Sequence, residues 1–147
     1  MDNNRIEREI VVEAPPERVW SLVARPGFWV ADLPDAEFEL KPGALAVPKH
    51  EERGPFPVRV ERVQPETEVS YRWASTFPGE EPRDGNSTLI EFTVLPEREH
   101  TRVRVVESGF ATLDSEEARR LESLQGNIEG WNYQLNALRE RAEHPVA

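Results

Sequence analysis

Leu121, Leu124, Ile128, Trp131, Leu135, Leu138 and Ala142 recur at alternating gaps of three and four residues. That spacing puts all of them on one side of an α-helix and keeps Glu122, Glu129, Arg139 and Glu140 off it. It predicts a helix over 115–143, about 44 Å long at 1.5 Å per residue. Asp114 stands as its cap, with Glu117 three residues on, as in a capping box. Arg139 and Arg141 suit the negative end of the helix dipole, and Pro145 forbids continuation. The spacing also fits a coiled coil, but one of only about three heptads, and Trp131 is bulky for such a seam. A core helix is the stronger reading, and a core helix needs a sheet to lie against.

The rest of the chain supplies strands. Arg5 to Glu13 alternates, with Ile6, Ile10 and Val12 on one face and Glu7, Glu9 and Glu13 on the other. Ala14-Pro15-Pro16 ends that strand, and Glu17 to Ala24 carries Val19, Trp20 and Val23 at helical spacing. After Pro26-Gly27, Phe28, Trp29 and Leu33 predict one more helical turn. Extended runs are expected at Glu37 to Lys41, at Ala44 to Lys49 pairing back on it, and at Val58 to Val63. Val69, Tyr71 and Trp73 alternate with polar neighbours, as do Ile90, Phe92 and Val94, and then Val103 and Val105. The stretch from Thr76 to Ser87 reads as a polar loop, and Pro96 to His100 as a hairpin turn. One domain over 1–147 of the α+β class follows: a curved antiparallel sheet of six or seven strands around the C-terminal helix, with two short helices after the first strand.

Charge narrows the partners. Eighteen basic against 28 acidic side chains leave a formal charge of −10, which repels phosphate backbones and anionic lipid. Nucleic acid and membrane partners are therefore not expected. The chain has no cysteine, so disulfides, thiol nucleophiles and zinc-thiolate sites are excluded. A start of charged residues rather than an apolar export segment makes the cytoplasm the expected location.

Several stretches resemble a known superfamily. Ala14-Pro15-Pro16-Glu17-Arg18-Val19-Trp20, after an amphipathic strand, is similar to the opening of START-like, helix-grip (SRPBCC) domains. VRVERVQPETEVSYRW (Val58 to Trp73) and STLIEFTVLPEREHTRVRVVESGF (Ser87 to Phe110) resemble its bacterial branch related to the activator of heat-shock-protein (Hsp) ATPase. Gly130-Trp131 with Leu135 and Leu138 does so too. The resemblance implies a birch-pollen-allergen-like sheet gripping the last helix around an elongated apolar cavity. It brings three functional expectations: a binder of small apolar or aromatic molecules, a polyketide cyclase or aromatase, or a module that acts on a chaperone. Glu107 stands where bacterial relatives often carry histidine.

Residue types favour binding over catalysis. There is no Gly-x-Ser-x-Gly, no phosphate-cradling glycine loop and no second histidine near Lys49-His50-Glu51-Glu52, so neither a metal nor another cofactor is expected. His50, His100 and His144 are expected to be solvated. Alternation turns Val60, Tyr71, Trp73, Ile90, Phe92, Val103 and Val105 inward, facing Leu124, Ile128, Trp131 and Leu135. With Trp29, these either pack as plain core or line a ligand pocket. Alternation carries Glu107 inward as well, where a carboxylate is costly unless it is paired. It either meets solvent or an arginine, or anchors a ligand, or acts as a general acid with Tyr71 as a second proton mover. Asn132 and Gln125, on the edge of the stripe, could add hydrogen bonds. Gly126, Gly130, Tyr133 and Ala137 share the opposite side of the helix. Glycine there costs about 1 kcal/mol against alanine, which suits either a homodimer contact or a bend over the cavity.

Overall fold

The computed structural model describes residues 3–30 and 39–144. Strand β1 (Arg5–Val12) leads through Pro15 into helix α1 (Pro16–Val23). Proline suits that first turn because an N–H there has no partner within the helix. Three two-residue strands follow, β2 (Leu45–Ala46), β3 (Lys49–His50) and β4 (Gly54–Pro55). The long strands are β5 (Val58–Gln64), β6 (Glu68–Trp73), β7 (Thr88–Glu97) and β8 (His100–Ser108). A 3-10 turn at Phe110–Thr112 then leads to helix α2 (Glu117–Glu143).

Six strands form one antiparallel sheet in the order β1-β8-β7-β6-β5-β2, and β3 and β4 pair in a separate hairpin. The register aligns Val60, Tyr71, Ile90, Glu107 and Ile6 in one row across the sheet. All of these side chains are buried. The alternate residues face outward, where Arg102 pairs with Glu9 and Glu97, and Arg104 with Glu7 at 3.0 Å. This is the α+β helix-grip architecture, with the long helix packed against β1, α1 and the 3-10 turn.

Helix α2 buries Leu124, Trp131, Leu135, Leu138 and Ala142 and half-buries Ile128, as the spacing requires. Leu121 departs from the stripe at 38% exposed. That end of the helix is held by polar contacts instead: Arg119 donates to the Thr76 carbonyl at 2.6 Å and lies 4.7 Å over the Phe77 ring. Thr76 Oγ1 and Ser123 Oγ share a 3.0 Å hydrogen bond beside them.

Other expectations need correction. The capping box is not formed: Glu116 is the cap residue and makes no side-chain cap bond, while the Asp114 amide donates to the Gly85 carbonyl at 2.6 Å. Only one short helix is described after β1. Phe28 and Val30 instead sit in hydrogen-bonded turns, and Leu33 lies outside the described residues. Glu37 and Phe38 also lie outside them, and Glu39–Lys41 is not a strand. The stretch from Ala44 to Lys49 divides, Leu45–Ala46 pairing with β5 and Lys49–His50 with β4. Turn residues of moderate propensity misled here because tertiary pairing decides so short a strand.

Truncating the buried end of the helix separates it from the exposed one. Leu138→Ala should cost about 2–5 kcal/mol, as large-to-small core changes do. Leu121→Ala should stay within about 0.5 kcal/mol. Urea denaturation of both variants checks the contrast.

Candidate functional site

Trp29 holds the space between sheet and helix. Gly27 (φ 74°) turns the chain toward it, and a Cβ at that position would overlap the Pro48 ring, so only glycine serves there. The Trp29 ring centre then lies 5.4 Å from that of Tyr71, 5.5 Å from Trp73, 5.8 Å from Phe92 and 5.6 Å from Trp131. Trp29 is 7% exposed, and its Nε1–H is buried without a hydrogen-bond partner. The elongated cavity implied by the resemblance is therefore largely filled by this one side chain.

Behind the indoles lies Glu107, fully buried in the row between Ile90 and Ile6. One carboxylate oxygen accepts from Trp73 Nε1 at 2.9 Å and Thr88 Oγ1 at 2.6 Å. The other accepts from Trp131 Nε1 at 2.8 Å, and Asn127 Nδ2 lies 3.1 Å from both. These donors come from β6, β7 and α2, so one side chain ties the helix to the sheet. Burial pushes the Glu107 carboxyl above its ordinary 4.5, while the bonds from Thr88, Trp73, Trp131 and Asn127 pull it back. The expectation of solvent or an arginine is thus replaced by a cradle of neutral donors.

Open space remains at one edge, as a cleft of about 350 Å³ between the β3–β4 hairpin and α2. Trp29, Phe56, Trp73 and Trp131 give it an aromatic wall, and Val30, His50, Arg53, Ser75, Asn127, Tyr133 and Gln134 line the rest. Gly126 and Gly130 also face it, and a Cβ added to either would meet nothing within 4 Å. The helix side read as a homodimer face or a bend thus borders the cleft at Gly126, Gly130 and Tyr133, the last 71% exposed.

Of the residues expected to bind a ligand, Trp29, Trp73 and Trp131 reach this cleft. Val60, Tyr71, Ile90, Phe92, Val103, Val105, Leu124 and Leu135 are buried core, with Ile128 packed against them. Asn132 is exposed, and its Oδ1 accepts from Arg8 Nε at 3.1 Å. Asn127, five positions earlier, is the helix amide that meets Glu107. The Tyr71 hydroxyl donates to the Val23 carbonyl at 2.6 Å, and burial pushes it well above its ordinary 10.0. No hydrogen bond joins it to Glu107. His50, expected in a solvated loop, belongs to β3 and lines the cleft. No periodicity or motif marks Phe56, Ser75 or Arg53: the hairpin's placement brings in Arg53 and Phe56, and Ser75 follows the end of β6. Among the described residues, no cluster of three or more histidine and carboxylate side chains is disposed to hold a metal ion, and no helix is long and apolar enough to cross a membrane.

Sheet, helix and cleft together define an α+β helix-grip domain. The model of the family described as "Activator of Hsp90 ATPase homolog 1-like protein" matches residues 13–143, and the chain belongs to that family. No curated protein matches it in sequence. Among solved structures, protein MLL2253 from Mesorhizobium loti superposes with a TM-score of 0.72 at 19% identity, over 97% of this chain and 99% of that one. The Aha1 dimer from Colwellia psychrerythraea gives 0.72 at 18% identity, over 97% and 98%. DynU16, from the dynemicin biosynthetic locus, gives 0.72 at 20% identity over 96% of this chain, which spans 48% of that protein. At such identities the likeness is one of fold.

The Glu107 cradle has a pH signature. A folded-state pKa above the unfolded one means that the folded protein binds more protons between the two values. The stability contributed by Glu107 is then fully present below about 4.5 and is lost as pH rises through the raised value. Relative to Glu107→Gln, the wild type should lose stability as pH climbs from 4.5. Urea denaturation of both proteins across a pH series measures the difference, and a flat or opposite slope would refute the raised value.

Proposed function

We propose that this protein is a cytoplasmic binding protein that holds a small, mainly apolar aromatic molecule in the cleft beside α2. The observation that carries the reading is the pairing of an aromatic wall with two glycines in the facing helix. Gly126 and Gly130 each cost helix stability of about 1 kcal/mol against alanine. No neighbour occupies the room that they leave. The volume of about 350 Å³ lies in the range of small-molecule sites, and flat rings stack well on indoles.

The location of DynU16 in a biosynthetic locus supports a second reading, an enzyme of the cyclase or aromatase kind. In that reading Glu107 would act behind Trp73 and Trp131 as a positioning residue, since both of its oxygens already accept hydrogen bonds from them and from Thr88 and Asn127. The Colwellia structure is described as a dimer, which favours a homodimer here. A second copy seated on Gly126, Gly130, Tyr133 and Ala137 would border the cleft mouth.

The binding reading is tested by filling the cleft from the helix side. Neutral 2-naphthamide should perturb the tryptophan fluorescence and the indole N–H resonances of the wild type. Gly126→Leu, whose side chain enters open space and whose helix propensity is higher, should stay folded and lose that response. An equal response from both proteins, or none from the wild type, would count against the cleft. A monomer mass in light scattering at high concentration would count against the dimer.

A further inference from the structure

The cleft is one-sided in its chemistry. The chain carries 28 acidic and 18 basic side chains, yet among the described residues no aspartate or glutamate lines this space. Among those residues the charged lining side chain is Arg53, on the β3–β4 hairpin with His50. His50 Nδ1 accepts from the amides of Glu52 at 3.1 Å and Arg53 at 3.2 Å. The proton of the neutral ring is therefore on Nε2, a donor. Glu51 and Glu52, next to His50 in sequence, line an adjoining depression with Lys49, and Val30 and His50 border both spaces. In the wall, the Nε1–H of Trp29 is buried and has no acceptor among the described residues. A buried polar group without a partner is uncommon in a folded chain. Glu107 does not counter this pattern, because four donors already bind its oxygens behind the indoles.

We propose that the cleft takes planar aromatic acids, with the rings against Trp29, Trp73 and Trp131 and the anionic group at the hairpin, between the Arg53 guanidinium and His50 Nε2–H. This rests on the reading of the cleft as a ligand site and adds the charge of the ligand. Arginine suits the role because its planar fork meets a carboxylate with two parallel hydrogen bonds. The hairpin is thus the element that sets specificity for the anion, while the tryptophans supply the surface on which the rings stack.

Three probes of one shape separate these contributions: 2-naphthoate, 2-naphthamide and 2-naphthylmethylammonium, titrated by tryptophan fluorescence. The naphthoate should bind about tenfold more tightly than the amide, as a charge-assisted hydrogen bond in a half-open site allows. The ammonium should bind more weakly than either. Arg53→Gln, a change at an exposed side chain, should bring the naphthoate down to the amide and leave the amide unchanged. Equal affinity for naphthoate and amide, a preference for the ammonium, or an equal loss of all three probes in Arg53→Gln would overturn the anion site. In each of those cases, binding of the amide to the wild type would leave the cleft itself standing as a ligand site. Failure of all three probes to bind the wild type would overturn both readings.

Discussion

The carboxylate of Glu107 is the interaction on which the architecture turns. It sits in the middle of an apolar row and would be prohibitive there alone, since an ion loses most of its hydration when buried. Two indole N–H groups, a hydroxyl and an amide replace that hydration, and they come from two other strands and from α2. Each donor is itself buried or half-buried, so removing the acceptor would leave several polar groups unsatisfied at once. Apolar contacts alone would let the helix slide or rotate over the sheet. The directional bonds to Glu107 fix its register, because Asn127 and Trp131 lie one helical turn apart and both must reach the same group.

That fixed register explains the cleft. With Trp131 and Trp73 held by their nitrogens, their rings stand as a wall, and Trp29, from the turns after α1, closes against them. The space inside the grip is then largely filled, and the open cleft lies at the edge of the fold. Gly126 and Gly130 lie along that edge, where larger side chains would occupy the opening. The β3–β4 hairpin lies across from that wall, so an aromatic surface and the side chains of Arg53 and His50 border one space.

Tertiary context overruled local signals in identifiable places. Asp114 has the right chemistry and spacing for a cap, but its amide is engaged by Gly85, and the helix starts later at Glu117. Asn132 and Asn127 are both polar positions on the helix. Only the packing of α2 beside β1 gives Asn132 to Arg8 and Asn127 to Glu107. Alternation correctly turned Val60, Tyr71, Ile90, Phe92, Val103 and Val105 inward, but it does not distinguish a side chain facing a cavity from one packed against a ring. Trp29 is the side chain that makes that distinction, and it comes from hydrogen-bonded turns where the spacing predicts a helical turn.

The five long strands, their α+β arrangement with the last helix, the buried side of α2 and the inward turn of Glu107 were written in the periodicity of this chain. Apolar spacing of two or of three to four residues is a local property, and burial follows it directly. The tertiary structure alone decided which donors meet Glu107, that an indole fills the grip, and that a cleft opens beside two helix glycines with Arg53 and His50 across from them. Those outcomes depend on distances between residues far apart in sequence, which are set only once sheet, helix and hairpin have packed together.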